Sequence, residues 1–111
     1  MARIVSGQVV VPFPSTDLSS AKVRPALVFA SPTQGDGILC QITSQSAGHP
    51  EAVSMRLGDF EDGGALPHDR FALPGRLVAA NEPCVRRVAE NLRAEKLHQI
   101  RERVCAAIRE T

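Results

Sequence analysis

At 111 residues the chain suits one domain and leaves no room for a second core. With 43% apolar and 23% charged residues it falls outside the disordered class, and a net charge of +1 gives no bulk electrostatic case for nucleic-acid binding. No basic-then-apolar leader opens it and no run approaches the ~20 apolar residues that span a bilayer, so a cytoplasmic, membrane-free domain is expected. Its charge is unevenly spread. Glu51 to Gly75 holds five acidic residues against Arg56 and Arg70, whereas the tail from Arg76 is rich in arginine. Cys40, Cys84 and Cys105 show no CxxC or Cys/His metal spacing, which predicts reduced, mostly buried thiols and no metal.

In chain order, Gly7 to Phe13 carries Val9-Val10-Val11, a strand brought to an end by Pro12 and Pro14. Ser15 to Lys22 reads as loop, and "PALVFA", Pro25 to Ala30, as a central strand apolar on both faces. Gly35-Asp36-Gly37 is a turn signal. "ILCQITS", Ile38 to Ser44, is a second central strand, with Ile38, Cys40 and Ile42 on one face and Leu39, Gln41 and Thr43 on the other. Ala52 to Leu57 alternates, placing Val53, Met55 and Leu57 inward. Gly58 to Pro67 is an acidic loop. Arg70 to Leu73 and Arg76 to Ala80 read as two short strands parted by Pro74-Gly75. Glu82 to Leu92 fits either a helical turn or a last strand. Leu97, Ile100, Val104 and Ile108 then recur at helical spacing, an apolar stripe for core or dimer packing. Short strands, tight turns and one closing helix predict a mainly β domain over residues 1–111, a small, strongly bent barrel or half-barrel with a C-terminal helix.

The order of three segments carries a resemblance. "GQVVVPFPSTDLSSAKVRPALVFA", Gly7 to Ala30, resembles the opening of the MazF/PemK toxin endoribonucleases: an aliphatic strand, a Pro-Phe loop, then an Arg-Pro-Ala-aliphatic strand. "ILCQITSQ", Ile38 to Gln45, resembles that family's next strand, and Gly75 to Val104 its closing strand and helix more loosely. The resemblance implies a small SH3-like barrel of the MazF/PemK/CcdB type, a homodimer, metal-free cleavage of single-stranded RNA such as mRNA, no cofactor, and a cognate antitoxin. It places the catalytic arginine on Arg24 and the catalytic threonine on Thr43. RNA contacts fall on Phe13, Ser15, Thr16 and Lys22 of the first loop and on Ser44 and Gln45. Three positions depart from the family pattern: Gln8 in place of an acid, Glu90 or Asn91 in place of a glycine, and Arg93-Ala94-Glu95 in place of a Ser/Thr helix cap.

These residue types suit the implied chemistry. Metal-free cleavage turns the ribose 2′-hydroxyl on the adjacent phosphorus, giving a cyclic phosphate and a free 5′-hydroxyl. It needs positioning, stabilised phosphorane charge and proton transfer at both ends. A guanidinium such as Arg24 offers a planar fork of donors to phosphate oxygens and keeps its charge. Thr43 supplies a hydroxyl to hold an oxygen or orient the 2′-hydroxyl. Phe13 can stack a base; Lys22 and the Ser15 and Thr16 hydroxyls can hold phosphates. No histidine lies in either motif, and the resemblance assigns proton transfer to Arg24. The plain alternatives are a solvated Arg24, an ordinary strand threonine and a core Phe13. Two rival functions share the fold: a non-catalytic toxin that binds a protein target, as a gyrase poison does, and a degenerate barrel that only dimerises and binds its antitoxin.

Overall fold

A computed structural model describes residues 4–12, 25–45, 47–61 and 70–110. Strands β1 (Gln8–Pro12), β2 (Ala26–Ala30), β3 (Asp36–Thr43), β4 (Val53–Met55), β5 (Arg70–Asn81) and β6 (Val85–Asn91) precede a helix α1 (Ala94–Arg109). They form one six-stranded sheet in the order β4-β5-β3-β2-β1-β6, and every neighbouring pair is antiparallel.

Alternation along the three central strands divides their apolar side chains between two cores. Val9, Leu27, Cys40 and Ile42 join Leu97, Ile100 and Val104 of α1 in one cluster. Val10, Ala26, Val28 and Leu39 join Ile4 and Val85 in the other. A strand buried on both faces has no polar side to show, hence the unbroken apolar run of β2. Ala80 of β5 and Val88 of β6 pack on the second cluster from opposite sides of the strand order, so the sheet bends over it. At the other end, Phe60 and Leu92 form an isolated antiparallel bridge, and the Glu61 N–H donates to the Asn91 carbonyl at 2.9 Å. These contacts draw the chain beyond β4 against the end of β6, although β4 and β6 form no ladder between themselves. The result is the expected mainly β, barrel-like fold with a C-terminal helix.

Within β3 the turn lies earlier than its glycines suggest. Gly35, at φ +87°, ends it and Asp36-Gly37 already belong to the strand; the Asp36 N–H donates to Thr33 O at 3.0 Å. Gly37 has a packing reason. A Cβ there would stand 2.7 Å from Cγ2 of the buried Ile4. Gly37→Ala is therefore expected to lower stability by about 1–3 kcal/mol in urea unfolding, and Ile4→Ala in the same chain to reduce that increment.

Several sequence expectations need correction. Pro74-Gly75 does not split β5, which runs unbroken for 12 residues. Cys40 pairs with Leu77 and Ile42 with Ala72, so residues 73–76 bulge opposite Gln41 alone. Proline lacks the N–H that a ladder needs, and a bulge is where an interior strand accommodates it. Leu57 is 55% exposed, because β4 stops at Met55 and Leu57–Asp59 form a 3-10 turn. Ile108 is 63% exposed, whereas Leu97, Ile100 and Val104 are buried. Glu82 to Leu92 holds both alternatives: a 3-10 turn, Glu82–Cys84, and then β6. Of the cysteines only Cys40 is buried; Cys105 is exposed, and all three are free.

Burial pushes the Cys40 thiol up to about 11, and its S–H donates to the Leu73 carbonyl at 3.3 Å in the bulge. The folded value lies above the ordinary thiol value of 9.0, so the unfolded chain loses this proton first as pH rises. Cys40 therefore contributes nothing pH-dependent below about pH 9 and a progressive loss of stability from there to about pH 11, on the order of 2–3 kcal/mol in all. Urea midpoints of the native chain and Cys40→Ala across that range should converge as pH rises. At pH 8 a thiol reagent should label Cys105 quickly and Cys40 only on unfolding.

The helix start lacks a capping side chain on Arg93. The preceding 3-10 turn ties it down instead. The Arg93 N–H donates to Asp59 O at 2.7 Å, its Nε–H donates to Gly58 O at 3.1 Å, and Lys96 Nζ lies 3.6 Å from Asp59 Oδ2. Farther along, Arg101 Nε–H donates to the Phe29 carbonyl at 3.3 Å, fastening α1 to the end of β2.

One buried contact has no signature in the sequence pattern. Arg70, at the start of β5, and Glu90, near the end of β6, are 6% and 3% exposed and meet through Nη1–Oε1 at 2.7 Å and Nη2–Oε2 at 3.1 Å. The Arg70 guanidinium also lies over the Phe60 ring, 4.7 Å from its centre. Both residues lie beside the point where the sheet's ends are drawn together.

Candidate functional site

Thr43 is the last residue of β3 and stands opposite Phe71 of β5, which in turn stands opposite Ser54 of β4. Because neighbours across an antiparallel ladder share a face, Thr43, Phe71 and Ser54 form one row. The next row, Ile42, Ala72 and Val53, belongs to the core under α1. The Thr43 row therefore lies on the other face, and all three of its residues are half-buried. This is the face that strand parity assigned to Thr43.

The chain turns immediately after this row. The Gln45 N–H donates to Thr43 Oγ1 at 3.2 Å. The hydroxyl oxygen thus accepts from the backbone while its own proton stays available to donate. Ser44 and Gln45 are exposed beside it. Arg24, Phe13, Ser15, Thr16 and Lys22 lie outside the described residues. Thr43, Ser44 and Gln45 are thus the three expected site residues whose positions are described, and they are contiguous.

Phe71 is the neighbour that sequence reading missed. Taken alone it is one apolar residue in an apolar segment. Only the register, Thr43 to Phe71 across β3 and β5, puts an aromatic ring's residue beside the hydroxyl. The histidines add nothing to this row. His49 Nδ1 lies 3.6 Å from Glu51 Oε1, His98 is exposed on α1 with Glu102 at 3.8 Å, and His68 is outside the described residues. Among the described residues no group of three or more His, Cys, Asp or Glu is arranged to hold a metal ion. A cleft of about 450 Å³ lies at the opposite end of β3, lined by Pro32, Asp36, Ile38, Ala79 and Cys84 among others. Five to seven strand residues, roughly 16–24 Å, separate its β3 wall from Thr43.

The chain matches no protein-family model and no curated protein sequence. Solved structures match along nearly its whole length. MazF from Deinococcus radiodurans is 21% identical, with a TM-score of 0.69 over 97% of this chain and 98% of that one. An endoribonuclease from a Mycobacterial species is 13% identical, with a TM-score of 0.71 over 97% and 93%. A further Mycobacterial endoribonuclease, solved in complex with its cognate antitoxin, is 12% identical, with a TM-score of 0.69 over 95% and 94%. The chain has the MazF toxin fold.

Two of the departures from the MazF/PemK pattern find local explanations within this fold. The Gln8 side chain accepts the Val5 N–H at 2.9 Å through Oε1, closing the turn that leads into β1. Glu90, where the family pattern has a glycine on one alignment, holds Arg70. No helix is long and apolar enough to cross a membrane among the described residues.

Proposed function

We propose that this chain is the toxin of a type II toxin–antitoxin pair: a cytoplasmic endoribonuclease that cuts single-stranded RNA, mRNA included, without a metal ion, acts as a homodimer and is held in check by a cognate antitoxin. The observation that carries the reading is the MazF fold over nearly the whole chain, with Thr43 at the β3 end on the face away from α1. Neighbours of that fold are named endoribonucleases, and one of them is bound to its antitoxin.

In the proposed reaction Arg24 binds the scissile phosphate and stabilises the charge that builds on the phosphorane oxygens. Thr43 donates its hydroxyl proton to a second oxygen or orients the 2′-hydroxyl, its lone pair being engaged by the Gln45 N–H. Attack of the 2′-oxygen forms the new P–O bond as the P–O5′ bond breaks; the 2′-hydroxyl proton departs and the 5′-oxygen gains one. Arg24 is the proposed proton carrier. Phe13, Ser15, Thr16, Lys22, Ser44 and Gln45 hold the strand. Connectivity supports the pairing of the two central groups. Ala26 stands opposite Gln41, Arg24 is two residues before Ala26 and Thr43 two after Gln41. Two residues of chain span at most about 7 Å.

Cleavage of a long unstructured RNA in excess EDTA, beside Arg24→Ala, tests the proposal. Defined cuts leaving 5′-hydroxyl ends, lost in the variant, support it. Growth arrest by a protein that cuts no RNA, with EDTA or with magnesium, rejects it in favour of a toxin that acts by binding a protein.

A further inference from the structure

We propose that Phe71 is the base-stacking platform of the site, holding a nucleobase of the single-stranded RNA beside Thr43; this rests on the nuclease reading above. Phe71 occupies the middle of the row Thr43–Phe71–Ser54, so its Cβ lies about 5 Å from that of Thr43. Among the described residues it belongs to neither core cluster and is not among the partly buried side chains packed against them, whereas Phe29 is. A phenylalanine that is half-buried and serves no described core offers a flat π surface at the one place where the proposed chemistry needs a nucleotide held still. Its neighbours suit a nucleic-acid strand. Ser54 flanks it in the row, and the exposed Arg56, two residues farther along the extended backbone, has the fork geometry for a phosphate. Bases of any identity stack on such a ring, so Phe71 positions the strand, and selection of sequence is left to other contacts.

The composition makes a direct test available, because the chain contains no tryptophan and no tyrosine. Phe71→Trp introduces a single fluorophore at the platform, and Phe29→Trp places one against the core under α1 as a control. A fluorescently labelled, randomised-sequence 2′-O-methyl oligoribonucleotide, which cannot be cut, is titrated into each protein. Emission of Phe71→Trp should be quenched with the same midpoint as the rise in oligonucleotide anisotropy, and that of Phe29→Trp should not. In cleavage of ordinary RNA, Phe71→Leu should raise KM by about 5- to 100-fold, and Phe71→Trp should restore it. Thermal melting of all three variants checks that they are folded.

Two failures read differently. Oligonucleotide binding with unchanged Phe71→Trp emission, or native KM in a folded Phe71→Leu, overturns the platform and leaves the nuclease standing. A native protein that neither binds nor cuts RNA overturns the nuclease reading, and the platform with it.

Discussion

Thr43→Ala and Arg24→Ala proteins are expected to cut unstructured RNA at least about 10²-fold more slowly than the native chain, judged by single-turnover rates at saturating enzyme. The two substitutions remove different things. Arg24→Ala removes the one group of the proposed pair that carries charge, so nothing at that position would offset the negative charge of the phosphorane. Arg24→Lys should recover only part of the rate, because an ammonium keeps the charge and loses the planar fork. Thr43→Ala removes a hydroxyl whose lone pair already accepts the Gln45 N–H. Its loss frees a backbone donor beside exposed residues, where water replaces the acceptor. Melting should therefore move little, by about 1 kcal/mol or less. Thr43→Ser should keep most of the rate. A folded Thr43→Ala protein with native cleavage would remove Thr43 from the mechanism.

Breaking the Arg70–Glu90 pair should be the most damaging change to stability. Glu90→Ala leaves a guanidinium that is 6% exposed without the carboxylate it faces in two-pronged fashion, and the expected loss is about 3–5 kcal/mol. A domain of this size has only about 5–15 kcal/mol in total, so the variant should be unfolded or close to it at 37 °C. Arg70→Ala should cost a similar amount and also remove the cation over the Phe60 ring. The double change to Arg70→Met and Glu90→Leu is expected to recover most of the loss, since desolvating the ions offsets much of their attraction. Urea midpoints of the four proteins at constant m-value decide the matter. A Glu90→Ala chain within 1 kcal/mol of native would show that the seam between the chain beyond β4 and the end of β6 is held by other contacts.

The residues with a simple period declared their structure. Val9 and Val10, Leu27 and Val28, and Leu39 and Cys40 could be placed in strands because neighbours in a buried strand face opposite ways, and the two cores divide each pair as that geometry requires. Leu97, Ile100 and Val104 declared the helix by the same logic at a longer period. Thr43 was assignable to the face away from Ile42 by parity alone.

What parity cannot supply is anything set by another segment. Leu57 and Ile108 fit their patterns and are exposed: β4 stops at Met55 before its alternation reaches Leu57, and a helical stripe does not say at which residue its burial ends. Pro74-Gly75 looked like a break between strands; opposite Gln41 it is a bulge, a distinction that exists only once β3 is alongside. Arg70 and Glu90 stand 20 residues apart in the chain, and each alone reads as a surface charge. Phe71 acquires its place beside Thr43 only through the pairing of β3 with β5. The sequence by itself determined the strands β1 to β4, the helix and the face on which Thr43 stands, since these follow from local periodicity. Register, closure and the buried ion pair were decided by the tertiary structure, because each depends on where a distant segment comes to lie.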